Sequence, residues 1–266
     1  MKNIVIIPVY KPVLSMEERI SLERCLQILD RHFICLIAPE HLDVAAYARF
    51  FDDYQVKMNI ERFEDKFFQG IQGYNRLMMS SRFYQRFADW EYMLVYQLDA
   101  YVFRDELDAW CWKGYDYIGA PWVYKDGTFN ARIAGNGGFS LRKISSFLSL
   151  FEERGRLLTL RGLIAYFENR GLAHRMAYLC SALFGKLNTI EGLMSVNDQN
   201  EDRLFASLRY KRERAFHIPV PEESMYFSFE CMPELLIRKT SGILPFGCHA
   251  WAKHLDFWRE YMDLPA

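Results

Sequence analysis

The sequence lacks the glycine cradles that hold phosphates in the common nucleotide-binding folds. No Gly-x-Gly-x-x-Gly and no Gly-x-x-x-x-Gly-Lys-Ser/Thr follows its first apolar run, which disfavours a dinucleotide-binding domain and a P-loop NTPase. A nucleotide bound here must have its phosphates met by a metal ion or by cationic side chains. The six cysteines, Cys25, Cys35, Cys111, Cys180, Cys231 and Cys248, form no Cys-x-x-Cys pair, so neither a zinc knuckle nor a redox motif is indicated. Most lie inside apolar patterns, where a free thiol in a reducing compartment acts as buried filler. No apolar run approaches the length of a membrane span. The apolar part of residues 1–8 is too short for a signal peptide and is followed by no small-residue cleavage pattern, so the expected location is cytoplasmic. An excess of charge of one sign is missing too: the formal net charge is -1, which argues against a nucleic-acid polymer as partner. With no internal repeat and no low-complexity linker, the 266 residues, 51% hydrophobic and 25% charged, read as one compact domain.

What is present is organised around Tyr92-Met-Leu-Val-Tyr-Gln-Leu-Asp-Ala-Tyr-Val-Phe103. An apolar run of strand length breaks at Gln97-Leu98-Asp99. A carboxylate directly after a buried strand lies at the strand's carboxyl end, where open α/β sheets bind ligands. Upstream, Asn3-Ile-Val-Ile-Ile-Pro-Val-Tyr10 reads as a buried first strand. Ser15-Met-Glu-Glu18 reads as a capping box ahead of a helix with Leu22, Cys25, Leu26 and Leu29 at helical spacing. Phe33–Ala38 gives a second strand, a helix runs to about Phe51, and Gln55–Ile60 has weaker strand character. Strands alternating with helices indicate a mostly parallel sheet wrapped on both faces. The spacing then predicts one helix from about Asn75 to Phe87, with Leu77, Met78, Ser81 and Tyr84 facing the core. Asn75 and Arg76 at its start are equally ligand contacts or a solvated first turn.

Beyond the central strand, Tyr115–Pro121 reads as a short strand, Trp122–Phe129 as a hairpin around Asp126-Gly127, and Gly135-Asn-Gly-Gly-Phe-Ser-Leu-Arg142 as a glycine cluster feeding a strand. From about 143 to 192 the pattern becomes helical, with Arg154, Arg156, Arg161, Arg170, Arg175 and Lys186 among Leu, Phe and Tyr. This is a solvated helical insertion before it is an amphipathic lid, a partner helix or a membrane-surface element. Asn200-Glu-Asp-Arg-Leu-Phe205 places two acids ahead of a helical run, where acids also simply favour the first turn. Pro245-Phe-Gly-Cys-His-Ala-Trp251 sets a histidine beside Gly and Trp, ahead of a C-terminal helix.

Taken in order, Gln97-Leu-Asp-Ala-Tyr101, Asn136-Gly-Gly-Phe-Ser-Leu-Arg142, Asn200-Glu-Asp202 and Pro245-Phe-Gly-Cys-His-Ala-Trp251 resemble a family of bacterial glycosyltransferase-like proteins with the GT-A fold. The resemblance implies an α/β, three-layer α/β/α fold over residues 1–266, with a central mostly parallel sheet and a helical insertion at about 143–192. It implies a glycosyltransferase of the hexosyltransferase type, moving a sugar from a nucleoside-diphosphate sugar to a hydroxyl of a glycan or lipid-linked acceptor, as in polysaccharide biosynthesis. In such enzymes an Asp-x-Asp motif holds a divalent cation, Mn²⁺ or Mg²⁺, on the donor diphosphate. Asp99 matches the first acid, whereas Tyr101 stands at the second, and a phenol is a poor ligand for a hard cation. His249 matches the late histidine that completes the metal site; apart from the resemblance it reads as a core histidine. Asp202, with Glu201 as alternate, matches the general base of inverting members. Gly137 and Gly138 match the segment beside the donor sugar, and Tyr10 and Lys11 the region that meets the nucleobase; Pro8 and Asn75 are further candidate cofactor-binding residues. Trp251 and Trp122 are candidates to stack on a sugar ring, although such aromatics are more often core. The basic helical segment adds peripheral contact at the inner membrane face. The rival readings are a catalytically inactive sugar- or nucleotide-binding protein or partner subunit of the same fold, and a metal-dependent hydrolase or nucleotidyltransferase using the same acids.

Overall fold

A computed structural model describes residues 2–130, 135–153, 155–168, 170–185, 187–196, 200–212 and 215–264. Its strands are β1 (Asn3–Pro8), β2 (Phe33–Pro39), β3 (Asn59–Phe63), β4 (Tyr92–Tyr96), β5 (Tyr101–Val102), β6 (Tyr117–Gly119), β7 (Phe139–Lys143), β8 (Ser228–Phe229) and β9 (Gly247–Cys248). Six of them form a sheet in the order β3-β2-β1-β4-β7-β6. The first four in sequence run parallel, and β7 pairs antiparallel with both β4 and β6. Alternation along the strands divides the interior. Ile4, Ile6, Cys35, Ile37, Met93 and Val95 face one core. Val5, Ile7, Leu36, Leu94 and Tyr96 face the other. Helices cover both faces, which makes three layers.

The helix Met16–Ile28 begins where the sequence indicates: Ser15 and Glu18 form a capping box, and Leu22, Cys25 and Leu26 are buried. The third strand starts later than the expected Gln55–Ile60. Gln55 has φ 55°, and Val56 donates to the Phe51 carbonyl at 2.9 Å, so those residues close the preceding helix before the chain can extend. The single helix expected up to Phe87 is two, Gly70–Met78 and Ser81–Arg86, because Ser80 is extended (φ -104°, ψ 127°). The hairpin is formed: Tyr124 donates to the Thr128 carbonyl at 2.8 Å, and Gly127 takes φ 83°.

The stretch 143–192 departs most from expectation. Its helices Ile144–Glu152, Leu160–Tyr166 and Ile190–Ser195 send Phe147, Leu150, Leu163, Tyr166 and Leu193 into the first core, so most of the segment is built into the domain. Phe147 stacks on Tyr84 with ring centroids 4.7 Å apart and meets Phe205 edge-on at 4.9 Å. Only the helix Leu172–Phe184 is solvated, with Ala182 its one buried residue. Arg154 and Lys186 lie outside the described residues. Cysteine as filler holds for Cys25, Cys35, Cys111 and Cys248, whereas Cys180 is exposed and Cys231 half-buried.

A second, three-stranded sheet, β5-β9-β8, caps the carboxyl end of β4. Behind it a third core gathers Tyr101, Phe229, Cys248, Trp251 and Trp258. If the helical segment is integral, Phe147→Ala should cost about 3–5 kcal/mol in urea unfolding. Phe184→Ala, at an 87% exposed position, should stay within about 0.5 kcal/mol. Equal small effects would mark the segment as an appendage.

Candidate active site

A cleft of about 500 Å³ opens where the carboxyl ends of β1 and β4 meet the amino end of β7, within the size range of small-molecule sites. Its lining includes Pro8, Tyr10, Lys11, Asn75, Asp99, Gly137, Gly138, Glu201, Asp202 and His249, residues that lie far apart in the chain. Tyr10 stands at the rim, 60% exposed. Lys11 is already engaged, its Nζ 2.8 Å from Glu18. Arg76 points to solvent.

Two of the expected residues are elsewhere. Tyr101 is buried in the third core, where its ring packs on Phe103 (5.3 Å) and on the Arg24 guanidinium (5.2 Å), so its hydroxyl is no substitute for the missing acid. Trp251, 1% exposed, belongs to the same core and offers no face to a sugar. So small a sheet needs apolar cover, and the turn that follows β9 supplies it with this indole. Trp122 is half-buried against Ala165 and Ala206.

The acid pair sits in the first turn of the helix Glu201–Ser207, and both side chains are buried. Glu201 faces Arg142, a fully buried guanidinium from β7: Nη2 stands 3.4 Å from Glu201 Oε1 while Nη1 donates to the Tyr84 hydroxyl at 3.0 Å. Among the described residues no cation pairs with Asp202. Its Oδ2 accepts from the Gly137 N–H at 3.2 Å and from Asn136 Nδ2 at 3.4 Å. Burial first, then the charges of Glu201 and Glu230, push its carboxyl up to about 8. Adjacent acids thus have separate environments, one paired with a cation and one inclined to hold a proton. Such a split marks acid–base sites.

Asn136 continues from Asp202 to the other side of the cleft. Its Nδ2 also donates to Glu230 Oε1 at 2.9 Å, and its Oδ1 accepts from the Gly138 N–H at 2.8 Å. Glu230 in turn lies 3.3 Å from His249 Nδ1. On the opposite edge of the ring, Nε2 lies 3.1 Å from Asp99 Oδ1 and 3.2 Å from Gln97 Oε1. Burial alone would lower the imidazole pKa, but Asp99 and Glu230 raise it to about 10. Asp99 shows the reciprocal effect: burial would raise its pKa, and the His249 hydrogen bond and charge hold it below the ordinary value.

Gly137 and Gly138 are needed for space. A Cβ on Gly138 would fall 2.0 Å from His249 Nε2, and one on Gly137 would fall 2.8 Å from Glu201 Oε1. Four positions of this hydrogen-bond network escaped the sequence reading. Gln97, Asn136 and Arg142 lie within motifs singled out there but without an assigned role. Glu230 had only a faint signal, one acid inside the apolar run Met225–Met232.

The oxygens around His249 exceed the donors, and one positive charge among them, a proton or a metal ion, resolves the excess. Asp99 and His249 Nε2 therefore fit a divalent cation, with Glu230 on Nδ1 as the carboxylate that sets the tautomer of a ligating histidine. Among the described residues no group of three or more His, Cys, Asp or Glu side chains is placed to hold one.

Residues 57–249 match the family model described as "Protein of unknown function (DUF5672)". No curated protein matches the chain. Among solved structures, the galactosyltransferase LgtC, in complex with donor and acceptor sugar analogs, superposes with a TM-score of 0.51 at 9% identity, covering 99% of this chain and 97% of that one. Mouse xyloside xylosyltransferase 1, in its apo form, gives 0.50 at 10% identity over 92% and 96%. The glycosyltransferase GlyE of Streptococcus pneumoniae TIGR4 gives 0.50 at 12% identity over 99% and 61%. At these identities the likeness is one of fold: the chain has the GT-A-like three-layer architecture with a central mostly parallel sheet.

The raised Asp202 carboxyl has a consequence for stability. A folded-state pKa above the unfolded one contributes stability in full below the ordinary Asp range, and that contribution is lost as pH rises towards about 8. Asp202→Asn lacks this loss. Its melting temperature relative to the parent should therefore be higher at pH 9 than at pH 5, and a difference independent of pH would remove the raised carboxyl from the picture.

Proposed function

The chain belongs to the DUF5672 family, and from the chemistry of its cleft we propose that it is a glycosyltransferase moving a sugar from a nucleoside-diphosphate sugar to a hydroxyl of a glycan or lipid-linked acceptor. One observation carries the reading: a buried acid pair of divided character shares a cleft with the Asp99–His249 pair at the strand ends of a glycosyltransferase fold. In this reading the donor lies over Asp99 and His249, with its base towards Pro8, Tyr10 and Lys11 and its sugar beside the Gly137-Gly138 backbone that lines the cleft.

In the proposed step the acceptor hydroxyl approaches Asp202. Once Asp202 has released its own proton to water, the carboxylate takes the hydroxyl proton, the freed oxygen forms a bond to the anomeric carbon, and the bond from that carbon to the diphosphate oxygen breaks, inverting the centre. A raised pKa makes Asp202 a stronger base than an ordinary surface carboxylate, and Glu201, held by Arg142, stays in place beside it. Asp99 and His249 would hold a divalent cation, which when bound would supply countercharge to the leaving diphosphate.

A second reading is favoured by Tyr101: with the second acid of the motif replaced by a core tyrosine, the same fold serves as an inactive sugar- or nucleotide-binding protein or partner subunit. Mass spectrometry of reactions with a panel of UDP, GDP, CMP and dTDP sugars and candidate acceptors separates the readings, because only transfer adds a sugar's mass to the acceptor. Asp202→Asn should abolish transfer while leaving donor binding, followed by thermal shift, within about twofold of the parent. Loss of donor binding as well would deny Asp202 the role of base.

The acceptor side of the proposal includes a membrane surface. The helix Leu172–Phe184 exposes Leu172 (77%), Met176 (54%) and Phe184 (87%), and residues 169–190 contain no acid. No helix among the described residues is long and apolar enough to span a bilayer, so contact of this kind would be interfacial. The protein should co-sediment with phosphatidylglycerol-containing vesicles, and the double substitution Leu172→Ser with Phe184→Ser should release it. Equal sedimentation of both forms, or none of the parent, would sink the membrane contact.

A further inference from the structure

We propose that Gln97 completes the cation site, so that one divalent ion is held by the Gln97 carboxamide oxygen, the Asp99 carboxylate and His249 Nε2, with Glu230 behind the imidazole and off the ion. The inference deepens the glycosyltransferase reading, and it rests on that reading only for the diphosphate oxygens that fill the remaining positions.

The starting point is the position of the acids. Glu230 meets Nδ1 and Asp99 meets Nε2, and these nitrogens point away from opposite edges of the ring. The two carboxylates therefore cannot converge on one ion through His249. Tyr101 is committed to the third core, so the motif's own second position supplies nothing. The oxygen that does converge is Gln97 Oε1, 3.2 Å from the same Nε2 that Asp99 Oδ1 approaches at 3.1 Å. Gln97 is two residues before Asp99 instead of two after it. Its backbone is fixed by its N–H, which donates to the Gly138 carbonyl at 2.9 Å.

Space and charge agree with this placement. A Cβ on Gly138 would lie 2.0 Å from Nε2, so the glycine backbone packs against the imidazole and fixes the ring that Asp99 and Gln97 approach. Glu230 Oε2 is buried without a hydrogen-bond partner, consistent with a carboxylate that only orients the ring and whose charge favours a nearby cation. A carboxamide, a carboxylate and an imidazole together carry one negative charge. Such a set suits an ion that accepts nitrogen as well as oxygen, so Mn²⁺ is preferred over Mg²⁺ or Ca²⁺, and a nucleoside diphosphate should tighten it.

The test uses the full chain and Mn²⁺ alone, with free Mn²⁺ counted by its electron paramagnetic resonance signal. Gln97→Ala should weaken Mn²⁺ binding by about tenfold or more. Gln97→Glu, nearly isosteric, should tighten it severalfold by adding a carboxylate, and Tyr101→Phe should leave it unchanged. Opposite signs at one position separate ligation from a folding defect. If Gln97→Ala and Gln97→Glu both bind Mn²⁺ as the parent does, or if the parent binds none, the proposal is overturned. Gln97-dependent Mn²⁺ binding with no turnover of any sugar nucleotide would keep the ion site and defeat the transferase reading; turnover without Mn²⁺ binding would do the reverse.

Discussion

The cleft depends on the close approach of a glycine backbone to two functional side chains. At Gly137 and Gly138 the main chain passes so near Glu201 and His249 that neither position has room for a methyl group. That contact sets the separation of the acid pair from the Asp99–His249 side, and Asn136, in the same turn, ties the two together by hydrogen bonds to Asp202 and Glu230. The turn is rigid because β7 follows at once and pairs with β4 along its length, from Tyr96 opposite Phe139 to Tyr92 opposite Lys143.

Charge is the second constraint. Asp99, Glu201, Asp202 and Glu230 stand against the guanidinium of Arg142 and the imidazole of His249. Carboxylates taken out of water without compensation are costly, and among the described residues Glu201 is met by a guanidinium while the Asp202 carboxyl is pushed towards its protonated form. Arg142 is placed to prevent a different outcome: its position beside Glu201 decides which member of the pair is neutralised by a cation and which by a proton. A residue outside the cleft lining thereby sets the two adjacent acids apart.

Much of the fold was legible because its signals are local. The capping box at Ser15 and Glu18, the apolar runs of β1, β2 and β4, and the Asp126-Gly127 hairpin depend on a few adjacent residues, and all appear where the pattern places them. The errors arise where tertiary packing overrides the local pattern. Periodicity continued through Met79 and Ser80, yet the chain breaks there, and the arginine-studded helical stretch concealed Phe147 at the centre of an aromatic core. At the site, Asp99, the acid pair and the glycines lie in recognisable motifs and do line one cleft. Trp251 was misplaced because an aromatic beside a histidine looks the same in sequence whether it serves a ligand or a core. Glu230 and Gln97 stayed hidden because their significance comes from the ring of His249 between them, a relation that no spacing encodes.

The second sheet has a kinetic meaning. Its strands β5, β9 and β8 have two residues each, so few backbone hydrogen bonds hold the wall that carries His249, and it relies on the packing of Phe229, Trp251 and Trp258 behind it. Its central strand arrives from the far end of the chain, about 145 residues after the strand it pairs with. Pairing across so long a loop is intrinsically slow, and the wall that carries His249 depends on its side-chain packing more than on its own ladder.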